Sequence, residues 1–255
     1  MKKAGSLLKS ILVWVFWLFV WQILSLLVGK EQLLPAPWAV LARLSTLATL
    51  SEFWSVTLIS FLRVICGVVL AVFLGICMSV LCCRFEAADV LISPLMTVIK
   101  STPVSSFIIL LLLWISRDWL AVVIVILMVL PVIWGNLCSG IRNVDPLLLR
   151  TAKVFCFPRS RILRRIYIPS VLPHFFSACR TSLGLAWKAG IAAEVLTVPS
   201  RSIGRLLYES KLYWETTDLF AWTLVVILCS LGIERLCMAF LGRMGRSQSA
   251  GGEAE

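Results

Sequence analysis

The sequence predicts an all-α membrane protein of six transmembrane helices, a single domain with a basic cytoplasmic loop between helices four and five. Three observations point there. Of its 255 residues 60% are hydrophobic and only 15% charged, against roughly 45–50% and about 25% in soluble domains, and the mean hydropathy is +0.97. The apolar residues gather into six long runs. Between the fourth and fifth runs, stretch 142–169 holds seven basic residues (Arg142, Arg150, Lys153, Arg159, Arg161, Arg164, Arg165) against one acid, Asp145.

The formal charge of +11 does not point to nucleic acid, because no soluble fold carries a basic patch. Cytoplasmic loops of membrane proteins accumulate Lys and Arg, and anionic lipid headgroups are natural contacts for such clusters. Nine cysteines form no C-x-x-C pair and most lie within apolar runs, so neither a disulfide framework nor a metal site is indicated. His174 is the only histidine, and no His, Asp or Cys cluster shares one depth. The chain reads as a non-enzyme without a cofactor.

Each element follows in order. Lys2, Lys3 and Lys9 precede the first span, 11–28, too long for a signal core and without a cleavage site. Leu34-Pro35-Ala36-Pro37 then breaks the chain, and Pro37 opens a short interfacial helix over Trp38 to Leu50. The second span, 56–81, carries Arg63 near its outer end, with Gly67 and Gly75 as candidate close contacts. Cys82 to Asp89 is a short inner loop. The third span, 90–115, contains Pro94, Lys100, Ser101, Thr102 and Pro103, so its freed backbone groups need partners inside the bundle or beside a water-filled path. Ser116-Arg117-Asp118 is an outer turn before the fourth span, 119–137.

In the basic stretch, Asp145-Pro146 starts a helix, with Leu148, Ala152 and Phe155 on one face. Phe157-Pro158 breaks it, and a second helix runs from Pro158 to Tyr167, ended by Pro169 and Pro173. Together they form an amphipathic cytoplasmic knob where a soluble partner could dock. The fifth span, 171–198, holds Arg180, Lys188 and Glu194. Such charges cost about 2.5–3.5 kcal/mol each at membrane depth on insertion scales and face the bundle or a cavity, so Glu194 needs a basic partner from another helix, Arg63 or Lys100. The sixth span is 219–241, and 243–255 reads as a disordered inner tail. With both termini inside, the long outer loops are charge-balanced and the large inner loop is basic.

The knob aligns in register as Arg150-Thr151-Ala152, then Cys156, then Ile166-x-Ile168-Pro169. That spacing resembles the E-A-A-x-x-x-G-x9-I-x-L-P motif of permease subunits of bacterial ATP-binding-cassette (ABC) importers, with Arg150, Thr151 and Cys156 in place of Glu, Ala and Gly. Ser60-x-x-Arg63-x-x-x-Gly67, Gly75, Pro94, Lys100-x-x-Pro103, Trp114, Gly140-x-x-x-x-Asp145 and Ala193-Glu194 resemble the nitrate/sulfonate/taurine-type branch. The resemblance covers roughly Leu33 to Leu207.

It implies a bacterial inner (plasma) membrane permease that works as a homodimer. Its partners would be separate cytoplasmic ABC ATPase subunits, which hydrolyse the ATP, and an extracytoplasmic solute-binding protein. The ATPase-coupling residues would be Arg150, Ala152, Phe155, Cys156, Phe157, Pro158, Arg159, Arg161, Arg164, Ile166, Ile168 and Pro169. Arg63, Lys100, Ser101, Thr102, Arg180, Lys188 and Glu194 are candidates for the translocation pathway of a small anionic solute. Two rivals are an ion-gradient-driven secondary carrier, for which no matched repeat is visible, and a vitamin-importer coupling subunit, whose Ala-Arg-Gly signatures are missing.

Overall fold

The computed structural model describes the backbone of residues 2–251, and side chains for 12–236 and 239. Every regular element among the described residues is helical. Helix α1 (Lys2–Val28) ends at Gly29, whose φ of 62° is the left-handed stop a glycine supplies without steric cost. Its last turns are tied to the following connector. Trp21 Nε1 donates to the Pro35 carbonyl at 3.1 Å, and Ser25 Oγ to that of Leu34 at 2.9 Å. Helix α2 (Pro37–Ala48) opens on its proline, as expected, and buries Val40 and Leu47.

Helix α3 (Ser51–Arg84) is longer at both ends than the predicted span. At about 1.5 Å per residue it measures roughly 50 Å. The predicted loop after it shrinks to a one-residue corner at Phe85, where α4 (Glu86–Ser101) begins. The predicted third span is not one straight helix. It is α4 and α5 (Val104–Leu111), bent by 103° at Thr102-Pro103. Pro103 holds the preceding residue extended, with Thr102 at ψ 130°, so α4 has to end there. Pro94, inside α4, does not break it.

Helix α6 (Arg117–Arg142) takes up two residues of the predicted outer turn, leaving Ser116 at its N-cap. Then come α7 (Pro146–Val154), α8 (Arg159–Ile162) and a π-turn, Leu163–Tyr167, that leads without interruption into α9 (Ile168–Thr197). Pro169 and Pro173 therefore do not end the second knob helix. The π-turn widens the ladder so that the Ile168 N–H reaches the Leu163 carbonyl five residues back, which makes room for a ring that lacks a donor and would crowd a tight turn. Helix α10 (Ile203–Leu212) follows. Helix α11 (Thr216–Gly251) continues past the predicted end at Leu241, since no proline interrupts it, and 252–255 lie outside the described residues.

The core is α3, α6 and α9 packed on one another. Small residues set how closely they approach. A Cβ added at Gly67 would fall 2.7 Å from the Val125 side chain, and one at Gly75 2.7 Å from Ile133. These two glycines are close-contact positions between α3 and α6, the use small residues have in membrane bundles. Among the described residues, three helices are long and apolar enough to cross a membrane: Ser51–Arg84, Arg117–Arg142 and Thr216–Leu236. The bent pair α4–α5 makes a fourth if it is one span. Helix α9 has the length but is not in that set.

Candidate functional site

Two clusters stand at opposite ends of the bundle. The first is built around Glu194, which is fully buried in α9. Its carboxylate accepts from Ser60 Oγ at 2.7 Å, from Arg63 Nη1 at 3.3 Å and from the Gly204 N–H at 3.3 Å. Ser60 Oγ in turn accepts the Ile203 N–H at 2.9 Å. Ile203 and Gly204 open α10, so the carboxylate and its Ser60 partner satisfy N–H groups that have no acceptor within the helix, at its positive end.

Arg63 spans the gap to two more elements. It donates to the Arg201 carbonyl at 2.8 Å and to Asp118 Oδ1 at 3.0 Å. Asp118 also accepts from Ser200 Oγ at 3.1 Å. One carboxylate and one guanidinium thus clamp α3, the start of α6, the end of α9 and the start of α10. Of the two basic partners the sequence offered Glu194, the structure selects Arg63. Asp118 and Gly204 were missed. The three-residue spacing of Ser60 and Arg63 on one face of an apolar helix is the signal that leads to the clamp.

Backbone geometry around Glu194 is demanding. Val198, which caps α9, sits at φ 50°, costly for a β-branched residue. A Cβ at Gly204 would lie 2.4 Å from the Val195 nitrogen and 2.5 Å from the Glu194 carbonyl carbon. Glycine is what allows α10 to touch the backbone of α9.

The other candidate pathway residues are apart from this clamp. Helix α9 turns Ser182, Ala186, Gly190 and Glu194 inward, while Arg180 and Lys188 are exposed on its other side. Lys100 is also exposed, with Nζ 5.9 Å from the Trp134 ring centroid. Ser101 and Thr102 spend their hydroxyls on the Val98 carbonyl of their own helix, at 3.0 and 2.8 Å. Among the described residues Arg180 and Lys188 make no ion pair.

The second cluster is the knob. Arg142, the first basic residue of the stretch, pairs with Asp89 at 2.7 Å and so anchors the knob's root to α4. Asp145 caps α7, accepting the Leu147 N–H at 2.7 Å. Leu148, Ala152 and Phe155 share a face as expected, but only Ala152 is buried; Phe155 is 68% exposed, and Leu147 and Val154 are open too. Arg150, Arg159, Arg161 and Arg164 are exposed, and Pro158 caps α8. Arg161 lies over the Phe157 ring, 5.2 Å from its centroid, and Phe157 lies 6.3 Å from Phe155. Ile166 is half-buried, whereas Ile168 and Pro169 are exposed at the start of α9.

The chain leaves α7 through a left-handed turn at Cys156, φ 52°. The Phe157 N–H reaches the Ala152 carbonyl at 2.9 Å, and the Cys156 N–H reaches that of Lys153 at 3.0 Å. These two bonds make a Schellman ending, which usually holds glycine. The left-handed turn is kept, and Cys156 bears a strain of about 1 kcal/mol. Cys156→Gly is expected to slow hydrogen exchange of the Phe157 amide about fivefold, measured by exchange mass spectrometry on the solubilised protein. Unchanged or faster exchange would mean that the turn carries no such strain.

Comparison with known proteins agrees with this architecture. The family model described as "Binding-protein-dependent transport system inner membrane component" matches residues 67–244. A Bacillus subtilis (strain 168) protein named for aliphatic sulfonates transport, SsuC, is 24% identical over 227 residues, 88% of this chain and 82% of its own. The taurine transport system permease protein TauC of Escherichia coli K12 is 22% identical over 237 residues, 90% of this chain and 83% of its own. The crystal structure of an amino acid ABC transporter with histidines superposes at a TM-score of 0.64 and 17% identity, covering 78% of this chain and 97% of that one. That likeness is one of fold.

Proposed function

Since this chain belongs to the binding-protein-dependent transport family of inner membrane components, an ABC permease family, we propose that it is the permease subunit of an ATP-driven importer for a small anionic solute. In this reading α1, α3, the broken pair α4–α5, α6, α9 and α11 are the six spans, and both termini are cytoplasmic. The knob is the ATPase-coupling loop. Two copies pair in the membrane, joined by two ABC ATPase subunits and served by an extracytoplasmic solute-binding protein. One observation carries the reading: the family match, 67–244, takes in the whole knob together with α6, α9 and the second half of α3.

Two details support the finer parts. The open apolar surface of the knob is the kind that a partner groove covers. The relatives are named for taurine, aliphatic sulfonates and bicarbonate, and Arg180 and Lys188 are exposed cations on the open side of α9 that make no ion pair among the described residues. Intramembrane charges of that kind mark substrate pathways. Glu194 and Arg63, by contrast, are engaged within the clamp, with each other and with Asp118, Ser60 and Gly204, so we assign them to holding the bundle together. Lys100, beside the α4–α5 break, is the third pathway cation.

The test is uptake into vesicles reconstituted with permease, ATPase and binding protein. ATP-dependent accumulation of labelled taurine, an alkanesulfonate or bicarbonate is expected. Arg180→Ala with Lys188→Ala should lower uptake at subsaturating solute at least about tenfold, with the complex still assembled. Uptake driven by an imposed ion gradient without ATP would instead establish the secondary carrier.

A further inference from the structure

A cavity of about 300 Å³ opens between α2, α3, α10 and α11. It lies at the start of α3, whose other end, Arg84, adjoins the knob's root, so the cavity faces away from the knob. Its floor is apolar and ordered. Phe53 and Trp222 stack with ring centroids 5.2 Å apart, and Leu47 completes the surface; all three are buried. Its rim is acidic, with Glu52, Glu209, Glu215 and Asp218.

Two of these acids are already neutralised. Glu209 pairs with Arg205 at 2.7 Å, and Asp218 takes a forked pair from Arg43 at 2.5 and 2.7 Å. Glu52 and Glu215 make no ion pair and no side-chain hydrogen bond among the described residues; Arg205 and Arg43, each engaged by another acid, act on them only from a distance. Arg201 borders a neighbouring hollow with Glu52 without pairing to it. An apolar well beneath unpaired carboxylates complements one kind of group: a long aliphatic stem ending in a cation. A lysine or arginine side chain lays its stem on apolar surface while the charged head meets carboxylates, and aromatic faces add cation–π attraction.

We propose that this cavity seats a lysine or arginine side chain of the solute-binding protein. The proposal rests on the importer reading, which puts the binding protein at the end of the bundle opposite the knob. It adds the polarity of the contact, acidic on the permease and basic on the partner, and the residues that make it. Charge complementarity of this sort steers encounter and is weakened by salt.

The experiment uses the assembled permease–ATPase complex in lipid nanodiscs and the purified solute-binding protein of the same importer. Wild type is compared with Glu52→Gln/Glu215→Gln, and with Glu31→Gln as an exposed acid outside the cavity. The double variant is expected to bind at least about tenfold more weakly and to lose most of the weakening that wild type shows between 50 and 300 mM salt. Glu31→Gln should match wild type. Unchanged basal ATPase activity in the double variant shows that it is assembled. Wild-type affinity and salt dependence in such an assembled double variant would overturn the cavity assignment and leave the importer intact. A wild-type complex that binds no binding protein at all would overturn the importer reading, and the inference with it.

Discussion

Glu194→Ala is expected to destabilise the bundle by about 3–5 kcal/mol, the cost of removing one partner from a buried ion pair. In a chain of this size that corresponds to a melting point lower by on the order of 10 °C. The loss has several parts. Ser60 Oγ and the Gly204 N–H lose their acceptor in a region closed to water, and a buried donor without a partner costs about 1–3 kcal/mol. Arg63 keeps Asp118 and the Arg201 carbonyl, so its own penalty is partial. Glu194→Gln retains the volume and one acceptor oxygen and should lose roughly half as much.

Gly204→Ala tests the same clamp from the other side. Its Cβ would strike backbone atoms of Glu194 and Val195, which cannot rotate away as a side chain could, so α10 has to move. Overpacking of this kind costs about 1–3 kcal/mol. Thermal melts of detergent-solubilised protein, read by tryptophan fluorescence, check all three variants. Wild-type melting of Glu194→Ala would mean that the carboxylate is a pathway group free to give up its partners, and would return it to the candidates beside Lys188.

Much of this was legible because membrane physics writes itself into composition. A run of some twenty apolar residues reads the same in any order, which is why α3, α6 and α11 agree with the sequence apart from their ends. What could not be read was decided by contacts between segments far apart in the chain. Arg63 and Glu194 are 131 residues apart; the sequence said that a buried acid needs a cation, and only packing could choose between Arg63 and Lys100. Prolines misled for a related reason. Pro103 stops a helix, whereas Pro94 and Pro173 lie inside helices and Pro169 follows a π-turn at the start of α9, because neighbouring elements and that turn accommodate what an isolated helix could not. Asp118 looked like part of a surface turn, and only its approach to Arg63 and Ser200 reveals it as a member of the clamp.

Truncating the knob's contact surface should have the largest effect on function. A variant carrying Phe155→Ala, Arg159→Ala and Arg164→Ala is expected to reduce copurification of the ATPase at least about 100-fold, because exposed aromatic and arginine side chains of this type are where binding energy concentrates and two such losses already exceed about 2.7 kcal/mol. The three residues suit the purpose. Arg159 and Arg164 make no ion pair among the described residues, so their removal leaves the fold's own ion pairs alone. Phe155 follows the last helical residue of α7 with most of its ring in the open, and its truncation removes apolar area worth about 1.5–3 kcal/mol once buried by a partner. The parts that shape the knob are left untouched: the Asp145 cap, the Cys156 turn, the Arg161–Phe157 contact and the Arg142–Asp89 anchor. With insertion and melting equal to wild type, loss of the ATPase places docking on this surface. A variant that still copurifies its ATPase and still answers the binding protein with faster ATP hydrolysis would move docking off the knob and leave its open apolar face to the lipid headgroups.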